Sequence, residues 1–333
     1  MYNAPMTSLQ HSLINTLSWF DLFDYPLTAW EAYRWLCVDR EQAGGSAQSY
    51  EEVLEGLRAL VADKAIASQW SFFFLPSRED TVETRRARYL IADNKFKRAQ
   101  AVTRLFRFLP WMRMVAVCNT LGYSNAARGS DIDFLIITAP GRLWTVRALC
   151  LTLLALLGLR PSLKRFGAKK EERRDKIDLT FFLSEDALDI SPLALPGSDP
   201  SYPTDPYLMY WLLQMVPLWD RGGVYERLWS ENATLRAPVP YAIPYRTSSL
   251  RRVSGRGRAV QAFFEWLGGR QWIERLSRRV QYAILPRRLR EEAKRRQGVV
   301  LDEHILKFHD HDRREEYRER WITSIAQKSN LKT

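Results

Sequence analysis

The chain has 333 residues, 46% of them hydrophobic, and a formal net charge of +12. That is long for one minimal domain, so two or three are expected, and the apolar share is ordinary for a globular protein and sufficient for a core. The positive balance points to polyanionic partners such as nucleotides, nucleic acid or membrane phosphate, or else to a solvated basic surface.

The three cysteines, Cys37, Cys118 and Cys150, are scattered in apolar contexts. None has metal-ligand spacing, and the odd count argues against a disulfide framework. The first ten residues lack a basic start and a long apolar core, which predicts no secretory signal. The most apolar run, Ala148 to Leu159, falls short of the roughly 20 residues that span a bilayer and reads as a buried helix. A cytoplasmic protein is expected.

Residues 1–77 read as a winged-helix-like module. Leu9, Leu13, Leu17 and Phe20 share one helical face. Pro26 interrupts, and Thr28 with Glu31 forms a capping box that opens a second helix through Leu36. A loop from Gly44 to Ser46 follows. Ser49 with Glu52 opens a third helix that turns Val53, Leu54, Leu57 and Leu60 inward. Ala65–Ser68 and Phe72–Leu75 complete a two-stranded wing. The third helix carries Glu51, Glu52, Glu55 and Asp63 against Arg58 and Lys64, and an acidic face is poorly matched to DNA phosphates. A structural or protein-contact role is preferred to DNA reading.

Arg78 to Leu109 predicts a long helix. Tyr89, Leu90, Phe96, Val102, Leu105 and Phe106 form its inward stripe. Arg85, Arg86, Arg88, Lys95, Lys97, Arg98, Arg104 and Arg107 make either a solvated face or counter-charges for a triphosphate.

The centre of the chain lies at Met112 to Thr138, which reads as strand, tight turn, short helix or loop, then a second strand opening with Asp131-Ile132-Asp133. Alternate strand residues share a face, so both carboxylates point one way while Ile132 and Phe134 enter the core. Two carboxylates side by side repel unless a cation lies between them, and hard divalent ions take such ligands. Gly141 to Gly158 predicts a helix on the sheet, and Lys164 to Lys176 a basic loop. A third strand, Ile177 to Leu183, carries Asp178 near its start, and a third carboxylate is what a two-metal site requires.

Apolar strand, small polar pair, Asp-hydrophobic-Asp, then an acid on a later strand: this order resembles the nucleotidyltransferase fold of the DNA polymerase beta superfamily. In that family a Gly-Ser pair holds the nucleotide phosphates, the first two Asp bind Mg²⁺ and the third completes the site. The positional match to the pair is Asn119-Thr120. Thr120 keeps the hydroxyl; Asn119 replaces the glycine, and Asn is among the residues that best tolerate positive φ. Gly122 is expected to supply further freedom. The likeness covers Met112 to Leu183. More loosely, the chain resembles bacterial proteins that carry a Phe-Asp-Tyr-Pro-Leu-Thr stretch, here Phe23 to Thr28, ahead of this domain.

What the resemblance implies is a metal-dependent nucleotidyl transfer. Asp131, Asp133 and Asp178 would hold Mg²⁺ or Mn²⁺, a nucleoside triphosphate would be the donor, and Asn119, Thr120, Ser130 and Arg128 would contact it. The alternatives are a catalytically degenerate domain that binds a nucleotide or protein, and a nucleic-acid-binding regulator.

After a linker-like stretch from Ser191 to Pro206, Tyr207 to Trp219 predicts an apolar helix ending near Pro217. Asp220 and Arg221 are expected to pair, and Val224 to Leu235 to form a short helix. The prolines between Ala237 and Tyr245 exclude regular helix there. Arg251 to Arg296 is the most basic part, interleaved with aromatic residues. A helical cap is the favoured reading, ahead of binding to RNA or another polyanion or lying on an anionic membrane. His309-Asp310-His311-Asp312 invites a metal reading, but a helix start capped by Asp310 or Asp312 is preferred.

The expected architecture is therefore α+β. A small mixed sheet of nucleotidyltransferase type, flanked by helices, occupies residues 78–190. It lies between the module at 1–77 and a helical region at 191–333.

Overall fold

The computed structural model describes residues 6–38, 47–159, 175–197, 202–246, 248, 250–255, 258–267, 271–295, 298–308 and 312–329. The expected loop at Gly44–Ser46, most of the basic loop (Lys164, Arg165, Lys169, Lys170, Arg173, Arg174) and His309, Asp310 and His311 lie outside the described residues.

The N-terminal part runs α1 (Ser8–Asp21), β1 (Leu27–Thr28), α2 (Ala29–Arg34), α3 (Tyr50–Ala62), β2 (Ala67–Gln69) and β3 (Phe72–Phe74), with sheet order β1-β3-β2. Both capping boxes form: Thr28 accepts from the Glu31 N–H, Ser49 accepts from the Glu52 N–H, and each Glu reaches back to the cap nitrogen. Two orphan N–H groups are thereby satisfied at each helix start. Glu31 has a second duty. It pairs with Arg85 of α4 (Asp80–Phe106) at 2.7 Å and accepts from the Tyr25 hydroxyl at 3.0 Å. That network ties the first module to the long helix.

A six-stranded mixed sheet follows. Its strands are β4 (Met112–Val117), β5 (Ile132–Thr138), β6 (Ile177–Ser184), β7 (Val216–Asp220), β8 (Val299–Leu301) and β9 (Ile305–Phe308), in the order β7-β4-β5-β6-β9-β8. Only the β5–β6 pair is parallel. Between β4 and β5 lies the short α5 (Asn119–Gly122), and between β5 and β6 lies α6 (Leu143–Leu156). The fold is α+β, as expected.

Side-chain alternation divides the interior into two layers. Met114, Ala116, Cys118, Leu135, Ile137, Phe181 and Leu183 join α1, α7 (Pro206–Leu213) and the C-terminal helix in one core. Met112, Val115, Val117, Phe134, Ile136 and Phe182 pack with α4 and α6 in the other. The remaining α-helices among the described residues are α8 (Val224–Glu231), α9 (Ala233–Arg236), α10 (Arg258–Leu267), α11 (Gln271–Ile284), α12 (Arg287–Arg295) and α13 (Arg314–Ser329). In α13, buried Trp321 donates to the Asn15 carbonyl at 2.8 Å and meets Trp19 edge-on, which closes the two ends of the chain on each other.

Three expectations are corrected. The apolar stretch Tyr207–Trp219 is not one helix: α7 stops at Leu213 and Val216–Asp220 becomes the edge strand β7. Pro217 cannot continue a helix, and an edge strand tolerates its missing N–H. The region beyond residue 190 is not purely helical, since β7, β8 and β9 belong to the central sheet and the sheet runs across the expected boundary. Finally, Asp220 accepts from the Val224 N–H to cap α8, while Arg221 turns to Glu265 at 2.8 Å.

Candidate metal centre

Parallel pairing of β5 and β6 sets Ile132 opposite Ile177 and Asp133 opposite Asp178. The fully buried Ile132 and Ile177 anchor this register in the core. The acids therefore meet on the opposite side. Asp131, Asp133 and Asp178 each offer a carboxylate oxygen within 4.8 Å of the others, the one such group of three among the described residues.

The carboxyl of Asp133 is raised well above its ordinary pKa. Burial is the largest cause, followed by the negative charges of Asp131 and Asp178; a hydrogen bond from the Asn119 side chain acts the other way. A divalent cation among the three would remove the repulsion, and an all-oxygen donor set suits Mg²⁺ or Mn²⁺. The residues present fit such an ion.

The turn facing the acids begins at Cys118, whose N–H donates to the Asp133 carbonyl at 3.2 Å. Asn119 adopts φ +53°. The left-handed backbone falls on an asparagine, which supports it where most residues would be strained. Gly122 does not share that conformation, contrary to expectation. Its need is steric: a Cβ there would meet the Gln214 carbonyl at 2.5 Å. Gly122→Ala will force α5 away from the end of α7. The expected loss of about 1–3 kcal/mol is measurable by urea unfolding, and an unchanged midpoint would refute the close approach.

Thr120 is half-buried on α5. Ser130 donates its hydroxyl to the Ala127 carbonyl at 2.9 Å, so that oxygen serves the loop. Arg128 is exposed. Arg85 and Arg88 of α4 pair with Glu31 and Asp24 of the first module, not with the acids.

One residue that matters was hidden among those bases. Lys95 is buried, and its Nζ donates to the Ser130 carbonyl at 2.6 Å and to Asp175 Oδ1 at 2.7 Å. Ser130 immediately precedes Asp131, and Asp175 lies three residues before Asp178. A single ammonium therefore holds the entry to both acid-bearing strands. The sequence carried a signal: Lys95 falls among Ala92, Phe96 and Ala99 on the inward face of α4, where an unpaired lysine would be costly.

Beside the triad lies a cavity of about 170 Å³ that includes Asn119 in its lining. Its aromatic walls are Tyr207 stacked on Tyr317 (5.6 Å, 13°) and Phe181 stacked on Trp211 (5.1 Å, 25°). Lys307 also lines it; burial and Arg314 lower its pKa while Asp312 opposes them. Burial raises Tyr207, and the charge of Asp133 adds to that shift. Asp312, read as a helix cap, accepts from the Arg314 N–H at 3.2 Å and also pairs with Lys307 at 3.3 Å. None of these C-terminal residues was legible as part of the site, because nothing local in the sequence says that β9 joins β6. No protein-family profile, curated protein or solved structure matches the chain.

Proposed function

We propose that the protein is a divalent-metal-dependent nucleotidyltransferase. It moves a nucleoside monophosphate from a nucleoside triphosphate to a hydroxyl acceptor. The observation that carries this reading is the convergence of Asp131, Asp133 and Asp178 within 4.8 Å beside a turn in left-handed conformation at Asn119. The resemblance of this stretch to the DNA polymerase beta superfamily supports it.

Asp131, Asp133 and Asp178 would hold Mg²⁺ or Mn²⁺, which supplies charge neutralisation for phosphate oxygens and polarises the reacting phosphoryl group. The chain's own residues do the positioning. The turn at Asn119-Thr120 presents backbone N–H groups and the Thr120 hydroxyl to phosphate. The small aromatic cavity next to Asn119 is the candidate acceptor pocket, its stacked rings excluding water from one side. The acceptor oxygen would bond to the α-phosphorus as the bond to the bridging oxygen breaks and pyrophosphate leaves, with Asp178 either completing the metal ligands or taking the acceptor proton.

The test is a screen of the four ribonucleoside triphosphates with Mg²⁺ or Mn²⁺ for pyrophosphate release or self-labelling. Asp131→Ala should abolish the signal. Release retained in that variant would reject the assignment.

A second reading is favoured by one observation: the Ser130 hydroxyl donates to the Ala127 carbonyl and the Asn119 side chain to Asp133, rather than to an open phosphate position. On that reading the domain binds a nucleotide without turnover. Asn119→Gly separates the two. A large gain in rate marks a limited but active turn; tight Mg²⁺-dependent nucleotide binding with no turnover in either form marks a binding domain.

A further inference from the structure

Helices α10 and α11 are attached to the body by their polar faces. In α10, Gln261 is fully buried and bonds the Leu109 carbonyl and Arg221, and Glu265, one turn later, bonds the Trp111 N–H, Arg113 and Arg221. In α11, Glu274 accepts from the Trp144 and Thr145 N–H groups at the start of α6. Gln281, two turns on, bonds Arg147 and the Trp144 carbonyl.

An amphipathic helix normally does the reverse and buries its apolar stripe. Here the stripe faces out. Val260, Phe263, Phe264 and Trp266 are exposed on α10, Trp266 to 79%. Trp272, Leu276, Val280 and Ile284 are exposed on α11 at intervals of four residues, which places them in one line. Exposed Arg275 and Arg279 run alongside that line, one turn apart.

We infer that this face docks on the surface of an anionic lipid bilayer. Three features select that occupant. The arginines beside the stripe, on a chain of charge +12, match anionic headgroups and would repel a second copy of the same face. The aliphatic members, Leu276, Val280 and Ile284, have no use on a stacked nucleic-acid strand but enter an acyl boundary readily. The two exposed tryptophans suit the headgroup level, where an apolar ring and a polar N–H are both accommodated. No helix among the described residues is long and apolar enough to cross a membrane, so the contact is with the surface. The long cationic stems beside the stripe add apolar cover while their heads stay in water.

The test uses the full chain and sedimentation with vesicles of phosphatidylcholine alone, or of phosphatidylcholine mixed with phosphatidylserine. Binding to the anionic vesicles should exceed binding to the neutral ones by at least about tenfold at low salt and weaken as salt rises. The double variant Leu276→Glu, Ile284→Glu alters exposed side chains only, and unchanged circular dichroism would verify its fold. It should lose vesicle binding. Absence of binding at low salt, or equal binding by the variant, would overturn the inference. So would a parent dimer that the variant converts to monomer, which would make a second copy the occupant, or an RNA complex lost in the variant without any vesicle binding by the parent.

Discussion

Asp133→Asn will make the metal-free protein more stable and will remove its stabilisation by Mg²⁺. Three carboxylates lie within 4.8 Å, and Asp133 is pressed by burial and by both neighbours. Removing one charge relieves the repulsion, so a gain on the order of 1–2 kcal/mol is expected, typical of sites where function opposes stability. The sign with pH follows from the raised pKa. The folded state keeps a proton that the unfolded chain releases above about pH 4. That stabilisation is complete below the unfolded pKa and is lost as pH rises through the folded one. The parent should therefore lose more stability than the variant on going from mildly acidic to alkaline buffer. Added Mg²⁺ should reverse the order, stabilising the parent by about 2.7 kcal/mol at a hundredfold excess over Kd and leaving the variant nearly unmoved. Thermal melts with and without Mg²⁺ at two pH values measure all of this. Identical responses in parent and variant would remove the metal centre from consideration.

Lys95→Ala will destabilise the protein and loosen the same centre from behind. The buried ammonium has a carbonyl and a carboxylate as partners, at 2.6 and 2.7 Å. Its removal leaves the Ser130 carbonyl without its strongest donor and leaves Asp175 with Arg98 at 3.4 Å. Asp175 is partly exposed, so water recovers some of the loss; a cost of about 2–4 kcal/mol remains. Lys95→Met keeps the aliphatic stem and deletes only the charge. If the ammonium positions the acids, both variants will show weaker Mn²⁺ binding, and Met will recover part of the stability but not the affinity. Full affinity in the Met variant would mean that the lysine serves packing alone.

The most legible features were those whose partners are close in sequence. The boxes Thr28–Glu31 and Ser49–Glu52 each span four residues, so composition alone specifies the bond, and both form. Asp131 and Asp133 were readable as a pair because strand alternation is a local rule, and Asn119 was readable as a turn residue because its tolerance of positive φ is intrinsic. Asp178 could be proposed from its place near the start of an apolar strand, but its distance from the other acids depended on β5 and β6 pairing in a register that only the core imposes.

Longer reach defeated the sequence elsewhere. Strands β8 and β9 have three and four residues, too short for a periodic signal, and their strand character comes from completing the edge beside β6. Lys95 was one base among many until burial picked it out. The same limit governs α10 and α11. Residue order alone shows that this basic segment has aromatic and aliphatic residues between its charges. Which face turns inward is set by long-range packing, because Arg113, Arg221 and the open start of α6 supply partners for Glu265 and Glu274 that no local pattern can announce. A buried polar group without a partner costs more than an exposed leucine, so the polar side packs on the body and the apolar side turns outward.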